Sequence, residues 1–169
     1  YADKYDFIGV VDNDTMVSPF APNIFDQLQP NKMHGVNDLA DLNWILSSIS
    51  DRQYLFPDTK LDITKYLNAG CLFFSSNLAD NFKELLDFYI QHPEIDNIKG
   101  GGKEQTLFNF ILSKNNIDIQ LLPPAWNLFS IHRKNMFINN WQLNANQIPH
   151  FIKYGYIWHF TGFPIEDRV

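Results

Sequence analysis

The chain has one cysteine, Cys71, so it forms no disulfide within itself, and flanking Leu72, Phe73 and Phe74 mark that thiol as a small buried hydrophobe. Basic residues are in the minority, 13 Lys and Arg against 19 Asp and Glu, with a net charge of −6 and pI near 5.2. Without a basic stripe, nucleic acid is excluded as the main partner. No run of 18 apolar residues is present to span a bilayer, and the opening Tyr-Ala-Asp-Lys-Tyr-Asp lacks the basic start and apolar stretch of a secretory signal. The single N-glycosylation sequon, Asn13-Asp14-Thr15, overlaps an acidic pair, which favours a cytoplasmic setting, or a membrane-peripheral one, over a secreted one. What is abundant is apolar and aromatic: 45% hydrophobic and 15% aromatic residues in a chain of 169 are enough for one domain with a substantial core.

Residues 6–11 read as a buried strand, and Asp12-Asn13-Asp14 follows at its end, where α/β sheets place their chemistry. Two carboxylates one residue apart can turn toward one hard divalent cation, or can simply mark a solvated turn. A short helix is expected over 24–28 and a strand over 32–36. Asn37 or Asp38 then caps a helix with Leu39, Leu42, Leu46 and Ile49 as its core stripe. Residues 52–66 read as a loop. After Asn68-Ala69-Gly70 comes an apolar strand, 71–74, and a helix to about residue 91 whose inner face is Phe82, Leu85, Leu86 and Tyr89.

Gly100-Gly101-Gly102 lacks the spaced Gly-Lys-Ser/Thr pattern of a phosphate loop and marks a flexible or tight backbone passage before a helix over 104–114. Leu107, Phe108, Ile111 and Leu112 form that helix's apolar stripe. Further strands are expected over 117–122 and 156–160. Strands alternating with helices predict an α/β layer fold, a largely parallel sheet with an antiparallel edge, and one hydrophobic core over 1–169.

Five segments fall in a telling order: Asp12-Asn13-Asp14, Leu67-Asn68-Ala69-Gly70, Glu104-Gln105-Thr106, Leu122-Pro123-Pro124-Ala125-Trp126-Asn127 and Trp158-His159-Phe160-Thr161-Gly162. Together they resemble the GT-A glycosyltransferases, particularly glycosyltransferase family 8 and its relatives. The resemblance implies a Rossmann-like mixed sheet flanked by helices, and transfer of a sugar from a nucleotide-diphosphate-sugar donor to a hydroxyl of a carbohydrate or protein acceptor. It also implies Mn2+ or Mg2+ held by Asp12, Asp14 and His159. By the same resemblance, Glu104 and Gln105 stand in the catalytic position, with Glu104 where the family usually has Asp. Asn68, Ala69, Gly70, Trp126, Asn127 and Gly162 then line the substrate pocket.

Two departures follow. The family's Lys-Pro-Trp after the histidine is here Phe163-Pro164-Ile165, leaving Arg168 as the nearby cation. Few residues precede the first strand, whereas the family places its base-binding strands there, so the chain is expected to be the metal- and acceptor-side portion of a longer domain. The rival readings are a sugar-binding domain without turnover, derived from a transferase, and a haloacid-dehalogenase-like phosphatase. The latter also begins with an apolar strand and Asp-x-Asp, but here Met16 stands where that family conventionally has Thr or Val.

Overall fold

The computed structural model describes residues 4–39, 41–98, 102–129 and 155–161. Six strands and three α-helices occur in them: β1 (Phe7–Val11), β2 (Thr15–Val17), β3 (Met33–Asn37), α1 (Leu42–Arg52), β4 (Leu67–Ser75), α2 (Asp80–Gln91), α3 (Lys103–Lys114), β5 (Ile119–Leu121) and β6 (Ile157–His159). A four-stranded sheet runs β1-β4-β3-β5, and β2 pairs with β6 in a separate ribbon. The architecture is the mixed sheet flanked by helices that the resemblance implied. It is not largely parallel, however: β4 runs antiparallel to both β1 and β3, and only β3 and β5 are parallel.

The central strand explains the core. β4 is nine residues long, and its alternate side chains point to opposite faces. Cys71 and Phe73 join Val36, Trp126, Phe129 and Ile157 on one face. Leu72 and Phe74 join Met33, Phe108 and Leu112 on the other. A strand covered on both faces has no polar alternation, which is why its sequence is a continuous apolar run. β1 looks similar in sequence but sits at the sheet edge, with Val10 and Val11 39% and 44% exposed. Its apolar run is therefore not the mark of a buried strand among the described residues.

α3 is buried all round over residues 105–112, with Leu107, Phe108, Phe110, Ile111 and Leu112 all in the core, and it separates the sheet-side cluster from one containing Phe56 and Ile95. Asn109 on α3 accepts from Leu67 N at 2.8 Å and donates to Leu67 O at 2.9 Å, tying helix to strand. The bonds fall beside an irregularity in the β3/β4 register between Gly35 and Asn37. Gly102 begins the helix in the left-handed conformation, φ 68°, with the Trp44 ring packed where a side chain would stand.

α1 keeps only Ile49 of its expected stripe packed against the core. Leu39, Leu42 and Leu46 are 45–46% exposed, while Ile45, Ser48 and Arg52 point inward. The reason is the polar surface α1 meets: Ser48 Oγ lies 2.6 Å from Thr106 Oγ1, which also meets Tyr66 OH at 2.7 Å. Arg52 Nη1 donates to Ser48 O and Oγ at 3.1 and 3.0 Å. Asp41, not Asn37 or Asp38, caps the helix by accepting from Trp44 N. On α2, Leu86 is 60% exposed and leaves Phe82, Leu85 and Tyr89 as the packed residues. Short 3-10 turns at Gln53–Leu55 and Ile63–Lys65 order part of the segment read as loop, and another at Ile24–Gln27 takes the place of the expected short helix. Among the described residues no helix is long and apolar enough to cross a membrane.

Candidate metal centre

The chain bends as it leaves β1. Asp12 N still donates to Gly70 O at 2.9 Å, prolonging the β1/β4 ladder, but Asp12 O accepts from Thr15 N at 3.2 Å and Thr15 Oγ1 at 2.7 Å. This four-residue turn brings the Asp12 and Asp14 side chains to one side. The β2/β6 register then sets His159 opposite Thr15, and Phe160 N donates to Asp14 O at 2.9 Å. Two parts of the chain some 145 residues apart are thereby joined by an ordinary antiparallel ribbon.

The result is convergence. Ligand-capable atoms of Asp12, Asp14 and His159 lie within 4.8 Å of one another. His159 Nε2 is 3.2 Å from Asp14 Oδ1 and 3.5 Å from Asp12 Oδ2, with the ring buried and Asp12 exposed. Partial burial raises the Asp12 carboxyl above its ordinary range; His159 opposes that, and Asp14 and Glu104 add to it. A cation beside Asp12 would relieve the repulsion this carboxylate meets from its acidic neighbours. Two carboxylates and an imidazole suit manganese or another hard-to-borderline divalent ion.

Gly70 makes the close approach possible. A Cβ there would collide with the His159 ring and stand 2.8 Å from Asp12 Oδ2, so any larger residue displaces two of the three candidate ligands. Asn68, Ala69 and Gly70 lie within β4 rather than ahead of it, and all three line a cleft of about 420 Å³ that also holds Asp12, Glu104, Gln105, Phe129, His159 and Thr161. Glu104 is in the first turn of α3, where the helix dipole favours an acid. Gln105, one residue on, is buried and accepts from Ala69 N at 3.1 Å.

Not every expected residue reaches the cleft. Trp126 is buried in the core, its ring 6.3 Å from Phe73 and 4.7 Å from Tyr156, and does not line the cleft. Asn127 is also buried and meets the site by hydrogen bonds to His159 and Asn68. Gly162, Phe163 to Ile165, Arg168 and the first two glycines of the triplet lie outside the described residues. Asp41, Trp44 and Phe129 also line the cleft and were not singled out in the sequence, and Asp38, read there only as a helix cap, lines it too. Asp38 follows β3 directly and is buried, with Oδ2 accepting from Asn68 and Gln105. Its position at a strand end was a usable signal, masked by its resemblance to a helix cap.

No protein-family model and no curated protein sequence matches the chain. Solved structures do. An apo structure of the bifunctional glycosyltransferase WbbM is similar over 95% of this chain and 29% of its own, with TM-score 0.57 and 15% identity. The galactosyltransferase LgtC, in complex with donor and acceptor sugar analogs, is similar over 94% of this chain and 53% of its own, with TM-score 0.55 and 14% identity. An active-site glutamine-to-glutamate mutant of LgtC gives 94%, 54%, 0.52 and 13% in the same order. The chain thus spans between under a third and about half the length of these proteins, and the fold they share with it is that of the GT-A glycosyltransferases.

Proposed function

We propose that the chain is the metal-holding portion of a glycosyltransferase that moves a sugar from a nucleotide-diphosphate-sugar donor to an acceptor hydroxyl of a carbohydrate or protein. The observation that carries this reading is the convergence of Asp12, Asp14 and His159 at one side of a cleft, in a GT-A fold. Those three residues would hold Mn2+ or Mg2+, and the ion would act as a Lewis acid on the departing nucleoside diphosphate.

The cleft's electrostatics support a need for the ion. Its charged lining residues among those described are Asp12, Asp38, Asp41 and Glu104, all acidic, a lining that repels a diphosphate. A divalent cation held by Asp12, Asp14 and His159 would offset that repulsion. Asn68, Ala69, Gly70 and Gln105 form polar floor beside it, suited to binding sugar hydroxyls, and Glu104 faces the same space as a candidate contact for the transferred sugar. Nothing of the chemistry is asked of Trp126, which supports the wall from within the core.

The test is release of nucleoside diphosphate from a panel of nucleotide-sugars, with and without manganese. Metal-dependent release that disappears in Asp14→Ala is the expected result. Sugar binding without any turnover would favour a binding module instead, and full metal-dependent activity in Asp14→Ala would remove the central assignment.

A further inference from the structure

A buried acid at the far end of the floor has a consequence for the metal ligand that it never touches. Asp38 Oδ2 accepts from Asn68 Nδ2 at 3.0 Å and from Gln105 Nε2 at 2.8 Å. A carboxylate oxygen receiving two amide donors leaves Asn68 one orientation, NH2 toward Asp38 and oxygen away. Asn68 Oδ1 then accepts from Gly70 N at 3.0 Å and from Asn127 Nδ2 at 2.8 Å. With its NH2 committed, Asn127 turns its oxygen to His159, where Oδ1 lies 3.0 Å from Nδ1. An amide oxygen can only accept, so the imidazole hydrogen belongs on Nδ1.

The opposite edge of the ring is under a contrary pull. Nε2 faces Asp14 Oδ1 at 3.2 Å and Asp12 Oδ2 at 3.5 Å, two acceptors that by themselves would draw the hydrogen to Nε2. A hydrogen there occupies the lone pair a metal ion needs. The Thr161 hydroxyl also meets Nε2 and can donate to that lone pair.

We propose that Asp38, acting through Asn68 and Asn127, fixes the tautomer of His159, holding the hydrogen on Nδ1 and presenting the Nε2 lone pair to the space between Asp12 and Asp14. Asp38 is a positioning residue, two amides removed from His159. The inference rests on the metal reading above for its purpose, though its geometry stands apart from it. Second partners of this kind orient metal-binding histidines generally, and their loss weakens metal affinity by about 10- to 100-fold.

The experiment is nitrogen-15 NMR of the full chain labelled at histidine, without metal, at a pH where the ring is uncharged. His159 is identified among the five histidines by the signal lost in His159→Gln. Wild type is expected in the Nδ1–H form, and an Nε2–H form in wild type overturns the proposal without any further variant. Asp38→Leu removes the acceptor and is expected to move His159 toward Nε2–H and to weaken Mn2+ binding about tenfold or more. Adding Asn127→Asp places a carboxylate directly against Nδ1 and is expected to return the hydrogen to it, a rescue that a merely structural role for Asp38 would not show. An unchanged tautomer in folded Asp38→Leu overturns the proposal. Should Asp38→Leu fail to fold, Asn68→Ala interrupts the same relay and is read the same way. If wild type shows the expected tautomer but binds no Mn2+, the metal reading fails and the relay stands.

Discussion

Single residues at this site are constrained by what lies within a few ångströms of them, and glycine 70 is the tightest case. Gly70→Ala inserts a methyl group into the His159 ring and crowds Asp12, so Mn2+ affinity is expected to fall tenfold or more while the circular dichroism spectrum keeps its helical signal. Retained affinity would mean that the histidine does not serve the ion. Cys71 tests the environment from the other side of the same strand. Burial, reinforced by the nearby Asp12 charge, pushes its thiol up to about 12, so it stays protonated at pH 8. Alkylation at that pH is expected to be slow in the native protein and fast after unfolding in urea; equal rates would place the thiol at the surface. The acidic motif, Gly70 and His159 were legible in sequence because each belongs to a short pattern. Asp38 was not, since an acid ahead of a helix reads as a cap, and its partners stand 30 and 67 residues away.

Among the elements, α3 and β4 are the ones whose sequences and structures agree best. Both are buried, so apolar content alone places them, and no choice of face has to be made. α1 needed that choice. Its leucines have helical period, but the surface it packs on carries Thr106 and Tyr66, so Ser48 and Arg52 turn inward and Leu42 and Leu46 turn out. A hydrophobic stripe tells which residues share a face, not which face the neighbour wants. The expected consequence is a contrast between adjacent positions, measured by urea unfolding. Ile45→Ala, a fully buried side chain, should cost about 2–5 kcal/mol. Leu46→Gln should stay within about 0.5 kcal/mol of wild type. Comparable losses at both would restore the leucine face to the core. An antiparallel edge was expected and β1 supplies one, but the antiparallel pairing of β4 with β3 was not legible, because apolar runs carry no strand direction.

For the whole molecule, the dominant shifts lie at alkaline pH. Cys71 and Tyr89 are each pushed up to about 12, mainly by burial, and burial also raises Tyr66. The folded chain therefore keeps protons that the unfolded chain gives up near its ordinary thiol and phenol values, roughly 8.5 and 10. These groups contribute stability that is complete below those values and is lost as pH rises toward 12. The urea midpoint is expected to hold near neutrality and to fall steadily above pH 9; a midpoint that rises with alkalinity would contradict the burial of all three. The order of the five motifs along the chain, rather than any one of them, is what pointed to the GT-A fold that the similar structures show.

The most direct test of the account is titration of the intact chain with Mn2+, followed by electron paramagnetic resonance of the free ion. Wild type should bind one ion, and Asp12→Ala, Asp14→Ala and His159→Ala should each weaken it severalfold or abolish it with the fold retained. Binding that survives unchanged in all three variants, or no binding by wild type, would contradict a metal centre built from these residues.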